Sequence, residues 1–347
     1  MPVIVTAVRD RLRARLGRAD ADRGGVAVTV GLLIGSGVLL GMMALVVDVG
    51  LLYVERGQLQ NGADAAAVAA ARACALDPAE CTGPDGETVD ALAGRYADGN
   101  ANDGQATAEV CGRGGGLATC GDTPVDCLRA APAAGPYVEV RTGTRRDGDE
   151  TLLPPVFAQA VLGGYRGAEV RACARATWGG PVRADTLALA LPFCDWERLT
   201  SSGTVFPAAP GPVPVRPGTT GTCTAAGAGF RWLDADDDCR VVRSVNQETA
   251  GATDDPDCGD ALEDALGRSV LVPVVDPPTG GGGDAFTVRG FAAFVVTGFT
   301  FGDRTEGTGC GDGVEPCVRG HLTEQLLPGG GAIGGPDLGA RVVALVG

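Results

Sequence analysis

The chain has 347 residues and a formal net charge of −15, from 43 acidic residues against 28 basic ones. This acidic balance excludes tight binding to nucleic acid or to an anionic lipid surface over most of the chain, because both are themselves negatively charged. The length leaves room for one large or two ordinary domains beyond an N-terminal helix.

The N-terminal tail, residues 1–23, is the basic part of an otherwise acidic chain. Six Arg and three Asp give it a net charge of +3. Arginines beside a membrane span remain in the cytoplasm, which predicts a cytoplasmic tail and an extracytoplasmic C-terminal mass. A nucleic-acid-binding patch is the alternative interpretation of these arginines.

The run that follows, residues 24–47, contains no charged side chain. As an α-helix it would be about 36 Å long, slightly more than the roughly 30 Å of a bilayer's hydrocarbon core. We therefore predict a transmembrane helix over 24–47. A secretory signal peptide is the main alternative, but its apolar region is normally only about 7–15 residues long.

Two glycine pairs with GxxxG spacing lie in this run, Gly31–Gly35 and Gly37–Gly41. Small residues at this spacing let two helices approach closely. The alternative is that glycine is simply common in membrane helices. Asp48 follows at the outer end of the run, where it either pairs with a basic group of a partner or stays solvated.

Helical periodicity continues beyond Asp48 and predicts a helical stalk over residues 48–73. Small or apolar side chains recur on one stripe of this helix, at Leu52, Leu59, Ala63, Ala66 and Ala70. Such a stripe is expected to pack closely against another helix or a sheet.

The N-terminal pattern, DRGGVAV followed by the apolar run and VVDVGLLYVERGQLQNGADAAAVAAA, resembles TadE/TadG-like Flp pilus-assembly proteins. The residues that carry this resemblance are Asp48, Gly50, Tyr53, Arg56, Leu59, Gln60, Ala63, Asp64 and Ala65. It implies a pilin-like component whose partners are pilin or pilus-assembly membrane proteins. The partner-contact residues predicted from it and from the glycine spacing are Gly31, Gly35, Gly37, Gly41, Asp48, Tyr53, Gln60 and Asp64.

The resemblance also raises the question of cleavage after Gly24. Pilin-like substrates usually carry Glu at the fifth position of the mature chain, where this chain has Thr29. We therefore expect the N-terminal tail to be retained.

All twelve cysteines follow the apolar run, at Cys74, Cys81, Cys111, Cys120, Cys127, Cys173, Cys194, Cys223, Cys239, Cys258, Cys310 and Cys317. An even count predicts up to six disulfides in an oxidising compartment. Local bridges Cys74–Cys81 and Cys310–Cys317 are plausible, and the rest of the connectivity stays open. Zinc is the alternative, but the chain has no C-x-x-C pair and a single histidine.

Beyond the stalk we predict an α+β unit over residues 74–202, with a helix at 89–100, strands at 137–142 and 169–178, and a short helix at 155–162. Residues 203–222 are rich in proline and predict an extended linker or a long surface loop. Residues 223–347 predict a β-rich part with strands at 270–276, 286–301 and 341–347.

The sequence predicts no catalytic residue, no metal site and no cofactor. Asp234, Asp236 and Asp238 fit the start of a calcium loop, but Cys239 and Val245 replace its glycine and its final glutamate. His321 is the only histidine, and a hydrolytic centre would need it to meet one of four serines, Ser201, Ser202, Ser244 or Ser269. Nothing local favours this, so we expect the chain not to be an enzyme and find no small-molecule substrate.

These observations predict an α+β protein of the bacterial cell membrane, with a long transmembrane and stalk helix before a disulfide-rich, largely antiparallel β ectodomain with short helices. It would act as a minor pilin-like component or assembly factor of a Tad/Flp-type pilus, through protein–protein contacts. The alternative is a cell-envelope binding module displayed on the same single-pass anchor. A sizeable apolar groove with aromatic lining would favour that alternative.

Overall fold

The structure is a computed structural model that describes residues 18–77, 81–83, 86–121, 130–148, 150–161, 163–216, 229–235, 238–251, 258–276, 285–301, 304–311, 316–328 and 331–346. Only the backbone is described for residues 18–24, 39, 40, 160, 161 and 216. The side chains of the predicted basic tail, residues 1–23, lie outside the described part.

The described residues form six helices, α1 Arg18–Gly35, α2 Val38–Leu76, α3 Val89–Asn100, α4 Ala158–Val161, α5 Phe193–Thr200 and α6 Gly259–Asp264. They also form eighteen strands: β1 Ala106–Arg113, β2 Tyr137–Thr144, β3 Leu152–Leu153, β4 Ala168–Glu169, β5 Arg171–Pro181, β6 Arg183–Leu187, β7 Leu189–Pro192, β8 Gly211–Arg216, β9 Phe230–Trp232, β10 Arg240–Ser244, β11 Glu248–Ala250, β12 Ser269–Asp276, β13 Ala285–Phe301, β14 Arg304–Gly307, β15 Cys317–Thr323, β16 Gln325–Leu326, β17 Ile333–Gly335 and β18 Ala340–Leu345.

The prediction of a transmembrane helix over residues 24–47 is wrong. A turn at Ser36 and Gly37 divides the apolar run between α1 and α2, and Gly37 has a φ of +74°, which interrupts a right-handed helix. No helix in the described part of the chain is long and apolar enough to cross a membrane. The expected mixture of helices with a larger share of strands is present.

The chain divides into two compact units. Unit 1 comprises Met1–Gln58 and Gly143–Arg171, and unit 2 comprises Leu59–Thr142 and Ala172–Gly347. Unit 1 contains α1, the first part of α2, the short helix α4 and the antiparallel pair of β3 with β4.

The first sheet of unit 2 has the strand order β1-β2-β5-β18-β16, with β17 also paired to β5. The second half of α2 packs on this sheet through small side chains, because alanines leave room for close approach. Ala63, Ala66 and Ala70 are fully buried in a cluster with side chains of β2 and β5, among them Val138 and Trp178.

The second sheet of unit 2 has the order β11-β13-β12-β7-β9-β8-β15, and β13 also pairs with β14 and β15. Because β13 pairs with both β12 and β15, six strands form a closed hydrogen-bonded ring. Its interior is filled by large apolar side chains such as Leu191, Phe230, Val272 and Phe294. The rings of Phe230 and Phe294 meet edge to face, with centroids 5.1 Å apart.

Part of the segment predicted as a proline-rich linker, residues 203–222, is a strand of this ring. In β8, Val213 and Val215 are buried in the core and alternate with Pro212 and Pro214. The strand pairs antiparallel with β15 and parallel with β9. Residues 217–222 lie outside the described part.

Disulfides join Cys74 to Cys81, Cys111 to Cys120, Cys239 to Cys258 and Cys310 to Cys317. The two local bridges predicted from the sequence are therefore present. Cys173 and Cys194 are also disulfide-bonded. Cys127 and Cys223 lie outside the described residues.

Candidate interaction site

The most unusual surface in the described chain is the apolar exterior of α1 and of the first part of α2. Sixteen large apolar side chains are exposed there: Val26, Val28, Val30, Leu32, Leu33, Ile34, Val38, Met42, Met43, Leu45, Val46, Val47, Val49, Leu51, Tyr53 and Val54. Val46 is 70% exposed and Tyr53 is 73% exposed. A helix that is apolar on all sides is normally buried, so this surface indicates an interaction site.

Both predicted glycine pairs lie open on this surface. A Cβ atom added at Gly31, Gly35, Gly37 or Gly41 would have no atom within 4 Å in the described structure. Gly37 lies in the turn between the two helices, and the narrow profile that Gly31, Gly35 and Gly41 give the helices is not used by any described part of the chain itself.

Asp48 is placed differently from the prediction, because its carboxylate is buried within unit 1 and only 8% of the residue is exposed. The backbone N–H groups of Val156, Phe157 and Ala158 all donate to its two oxygens. The nitrogen of Val156 lies 2.8 Å from Oδ1 and that of Phe157 lies 3.1 Å from Oδ2. Asp48 therefore fastens segment Gly143–Arg171 to α2.

The environment of Asp48 favours its charged form. Burial of the carboxyl raises its pKa, but the N–H donors of Ala158, Val156 and Phe157 together outweigh burial, so the pKa of Asp48 lies below its ordinary value. A carboxylate with three donors is a charge-assisted arrangement that an uncharged side chain does not reproduce.

The two other polar residues predicted to contact partners also bond within the chain. Gln60 Nε2 donates to Asp64 Oδ1 at 2.9 Å and to the carbonyl oxygen of Cys173 at 3.0 Å. Nearby, Thr142 Oγ1 donates to the carbonyl oxygen of Leu59 at 2.9 Å. Gln60 and Thr142 therefore attach α2 to the sheet of unit 2.

Tyr53 borders a shallow groove of about 330 Å³ in unit 1. Val49, Leu52, Tyr53 and Arg56 of α2 form one wall, and residues 168–171 form the other. Of the eight residues predicted to contact partners, Tyr53 and the four glycines are thus on accessible surface, whereas Asp48, Gln60 and Asp64 serve intramolecular contacts.

Sequence reasoning predicted a short helix at 155–162, observed as α4 Ala158–Val161, but missed the contact of this segment with Asp48 and its exposed apolar pair. In this segment the large apolar residues Val156 and Phe157 are exposed, with exposed fractions of 52% and 47%. We refer to these two side chains as the apolar tip. The signal in the sequence was the pair Pro154–Pro155 directly before two large apolar residues and a short helix, since prolines fix an extended entry into a helix.

The described residues bring together one group of metal-type ligands, Cys111, Cys120 and Glu139. The two cysteines form a disulfide, so their sulfur atoms carry no thiolate charge. Glu139 is buried between Arg175 at 2.6 Å and Arg141 at 2.8 Å. This chemistry suits a structural ion-pair cluster rather than a metal site.

Ser269 on β12 and His321 on β15 lie on the two strands that flank β13, each opposite Val295. Ser269 Oγ and His321 Nδ1 are buried and have no hydrogen-bond partner. No hydrogen bond therefore links Ser269 Oγ to His321 in the described structure. Of the three aspartates that fit the start of a calcium loop, Asp236 lies outside the described residues. Close to them in sequence, Arg240 forms an ion pair with Asp185 at 3.0 Å.

A larger cleft of about 700 Å³ lies in unit 2. Most of its described lining residues are glycine or proline, at positions 114, 115, 132, 135, 136, 179, 180, 334 and 335. Among its described lining residues, Trp178 is the one aromatic side chain and is only 4% exposed. The cleft therefore offers little of the aromatic surface that an envelope-polymer binding module would use.

Comparison with known families matches residues 25–73 to the family model described as Tad, putative Flp pilus-assembly TadE/G-like. The match confirms the resemblance over this segment and supports a role in pilus assembly. It covers both glycine pairs and the polar residues Asp48, Gln60 and Asp64. No curated protein and no solved structure matches the chain.

Proposed function

We propose that this chain, with a TadE/G-like segment at residues 25–73, is a component of a Tad/Flp-type pilus assembly system that acts through protein–protein contacts rather than catalysis. The observation that carries the proposal is the exposed apolar surface of α1 and α2, which lies in the matched segment. The contact partners are pilin or other pilus-assembly proteins. The disulfides support action outside the cytoplasm, because they persist in oxidising compartments.

Burial of this surface supplies the driving force for the contact. Transfer of a Val, Leu, Ile or Met side chain out of water stabilises a complex by about 1.5–3 kcal/mol when the side chain becomes fully buried. Specificity comes from the glycines, since Gly31, Gly35 and Gly41 allow a second helix to approach the backbone. The uncharged surface selects a partner that is also uncharged where it touches.

The proposal is tested by closing the glycine pairs with large side chains. Gly35→Leu together with Gly41→Leu should greatly reduce co-purification of pilus components after crosslinking in piliated cells. The matched control is Gly94→Leu with Gly99→Leu in α3, where an added Cβ also meets no atom within 4 Å. Equal recovery of pilus components with both double variants would overturn the proposal.

A further inference from the structure

We infer that Asp48 is a positioning residue that holds the apolar tip, Val156 and Phe157, beside α2, so that tip and helix together receive an apolar α-helix of a pilus-assembly partner. The inference rests on the proposed function and adds a second contact element, from outside the matched segment 25–73, to it.

Asp48 does not face a partner. Both of its oxygens accept hydrogen bonds from three consecutive backbone N–H groups, and the residue is almost fully buried. A basic group of a partner would have to displace these donors to reach the carboxylate. The role left to Asp48 is to fix the backbone of residues 156–158 against its own helix turn.

Fixing the backbone of residues 156–158 exposes the side chains of the apolar tip. Ala158 is buried, whereas Val156 and Phe157 extend outward although their N–H groups are tied down. A free loop would be expected to fold two such side chains inward or to leave them mobile. Because their backbone is already held, a partner that covers them need restrict only their side-chain rotamers.

The exposed surface of unit 1 indicates the chemistry of the partner. Among the side chains that the structure describes in unit 1, sixteen large apolar ones are exposed on its helices and four more on segment Gly143–Arg171, namely Leu152, Val156, Phe157 and Tyr165. A standard protein interface uses about 20–30 residues on each side, so this surface is large enough for a stable complex. Residues 25–47 carry no charge, and Gly31 and Gly35 lie one helical turn apart in α1 with open space at each, which fits an apolar helix rather than a charged or extended partner.

The test uses photo-crosslinking and two sets of variants in the full-length chain. A benzophenone amino acid at position 157 should form adducts with a pilus component, and peptide mapping should place them on an apolar helix of that component. Val156→Ser with Phe157→Ser should lower the recovery of pilus components about tenfold. The control, Val205→Ser with Val242→Ser, alters two similarly exposed valines of unit 2 and should leave recovery unchanged.

Asp48→Asn tests the positioning role, because the side chain keeps its size but loses its charge. Hydrogen exchange of the amides of residues 156–158 should become faster, and adducts from position 157 should fall together with recovery. The inference is overturned if position 157 gives no adduct with a pilus component, or if the tip variant binds like its control. If the tip variant alone binds normally while Gly35→Leu with Gly41→Leu does not, only this inference fails. If all variants bind normally, the proposed function fails with it.

Discussion

Asp48 shows how one residue can have a role that its position in the sequence does not reveal. It follows a long uncharged run, where an acidic side chain suggests an exposed helix end or a partner contact. The structure instead gives it three backbone donors from residues more than a hundred positions later. Spacing along a helix cannot indicate such a long-range contact.

The lowered pKa of Asp48 predicts how its hold on residues 156–158 depends on pH. A carboxyl whose pKa is lower in the folded chain stabilises the contact fully above its unfolded pKa of about 3.9 and loses that contribution as pH falls through the folded value. The amide proton shifts of Val156, Phe157 and Ala158 should therefore titrate together with a midpoint below about 3.9. In Asp48→Asn this titration should be absent. A shared midpoint above 3.9 would contradict the account.

Arg341 is a second residue with a long-range role. Its side chain is almost buried and bonds Asp337 at 2.7 Å, Glu324 at 2.6 Å and the carbonyl oxygen of Ala75 at 2.6 Å. The bond to Ala75 satisfies a carbonyl at the C-terminal end of α2, where a cation is also favoured by the helix dipole.

Replacement of Arg341 should destabilise unit 2. We expect Arg341→Met to lower the free energy of unfolding by about 2–3 kcal/mol, because a buried carbonyl and two carboxylates lose their donor. Urea denaturation measures the change. The control is Arg95→Met, which breaks an exposed, solvent-screened pair with Glu87 and should change the free energy of unfolding much less. Equal effects of the two substitutions would show that Arg341 does not hold the helix end.

At the scale of elements, α2 has a close contact that depends on a missing side chain. A Cβ added at Gly62 would lie 3.2 Å from the Cα of Ala97 in α3, which is tighter than ordinary van der Waals contact. At Gly57, which lies earlier in the same helix, an added Cβ would have no atom within 4 Å.

The two glycines therefore predict opposite effects in the same helix. Gly62→Val should destabilise the chain by about 1–3 kcal/mol, because α3 would have to move away. Gly57→Ala should be neutral or stabilise it by up to about 1 kcal/mol, because alanine has the higher helix propensity. Thermal or urea unfolding distinguishes them. Destabilisation by Gly57→Ala equal to that by Gly62→Val would contradict this view of the contact.

Elements with regular local patterns could be predicted from the sequence. The helix at 89–100 coincides with α3, whose start is marked by Thr88, since its Oγ1 accepts the N–H of Ala91. The strand predicted at 286–301 from its β-branched and aromatic content coincides with β13. The break at Ser36 and Gly37 could not be predicted from apolar composition, because a run of uncharged residues hides a turn that needs only one glycine.

The strand β8 shows a second limit of local reasoning. Prolines normally argue against a strand because they lack the N–H donor. Here Val213 and Val215 drive the segment into the core, and the prolines occupy the alternate positions. Tertiary packing thus decided a structure that composition alone assigned to a linker.

At the scale of the whole molecule, the division into units could not be read along the sequence. The predicted boundaries fell at composition changes, at residues 74 and 203–222, whereas unit 1 joins Met1–Gln58 to Gly143–Arg171. A discontinuous unit requires long-range pairing, which composition does not encode. The closure of the second sheet through β13 and β15 is unpredictable for the same reason.

The central claim is that the exposed apolar exterior of α1 and α2 is a protein contact surface in pilus assembly. The most direct measurement is site-specific photo-crosslinking in piliated cells from position 46, where Val46 is strongly exposed, with position 242 of unit 2 as the reference. The account predicts adducts between position 46 and a pilus component and none from position 242. It would be contradicted if the folded chain carried the crosslinker at position 46 and gave no adduct with any pilus component.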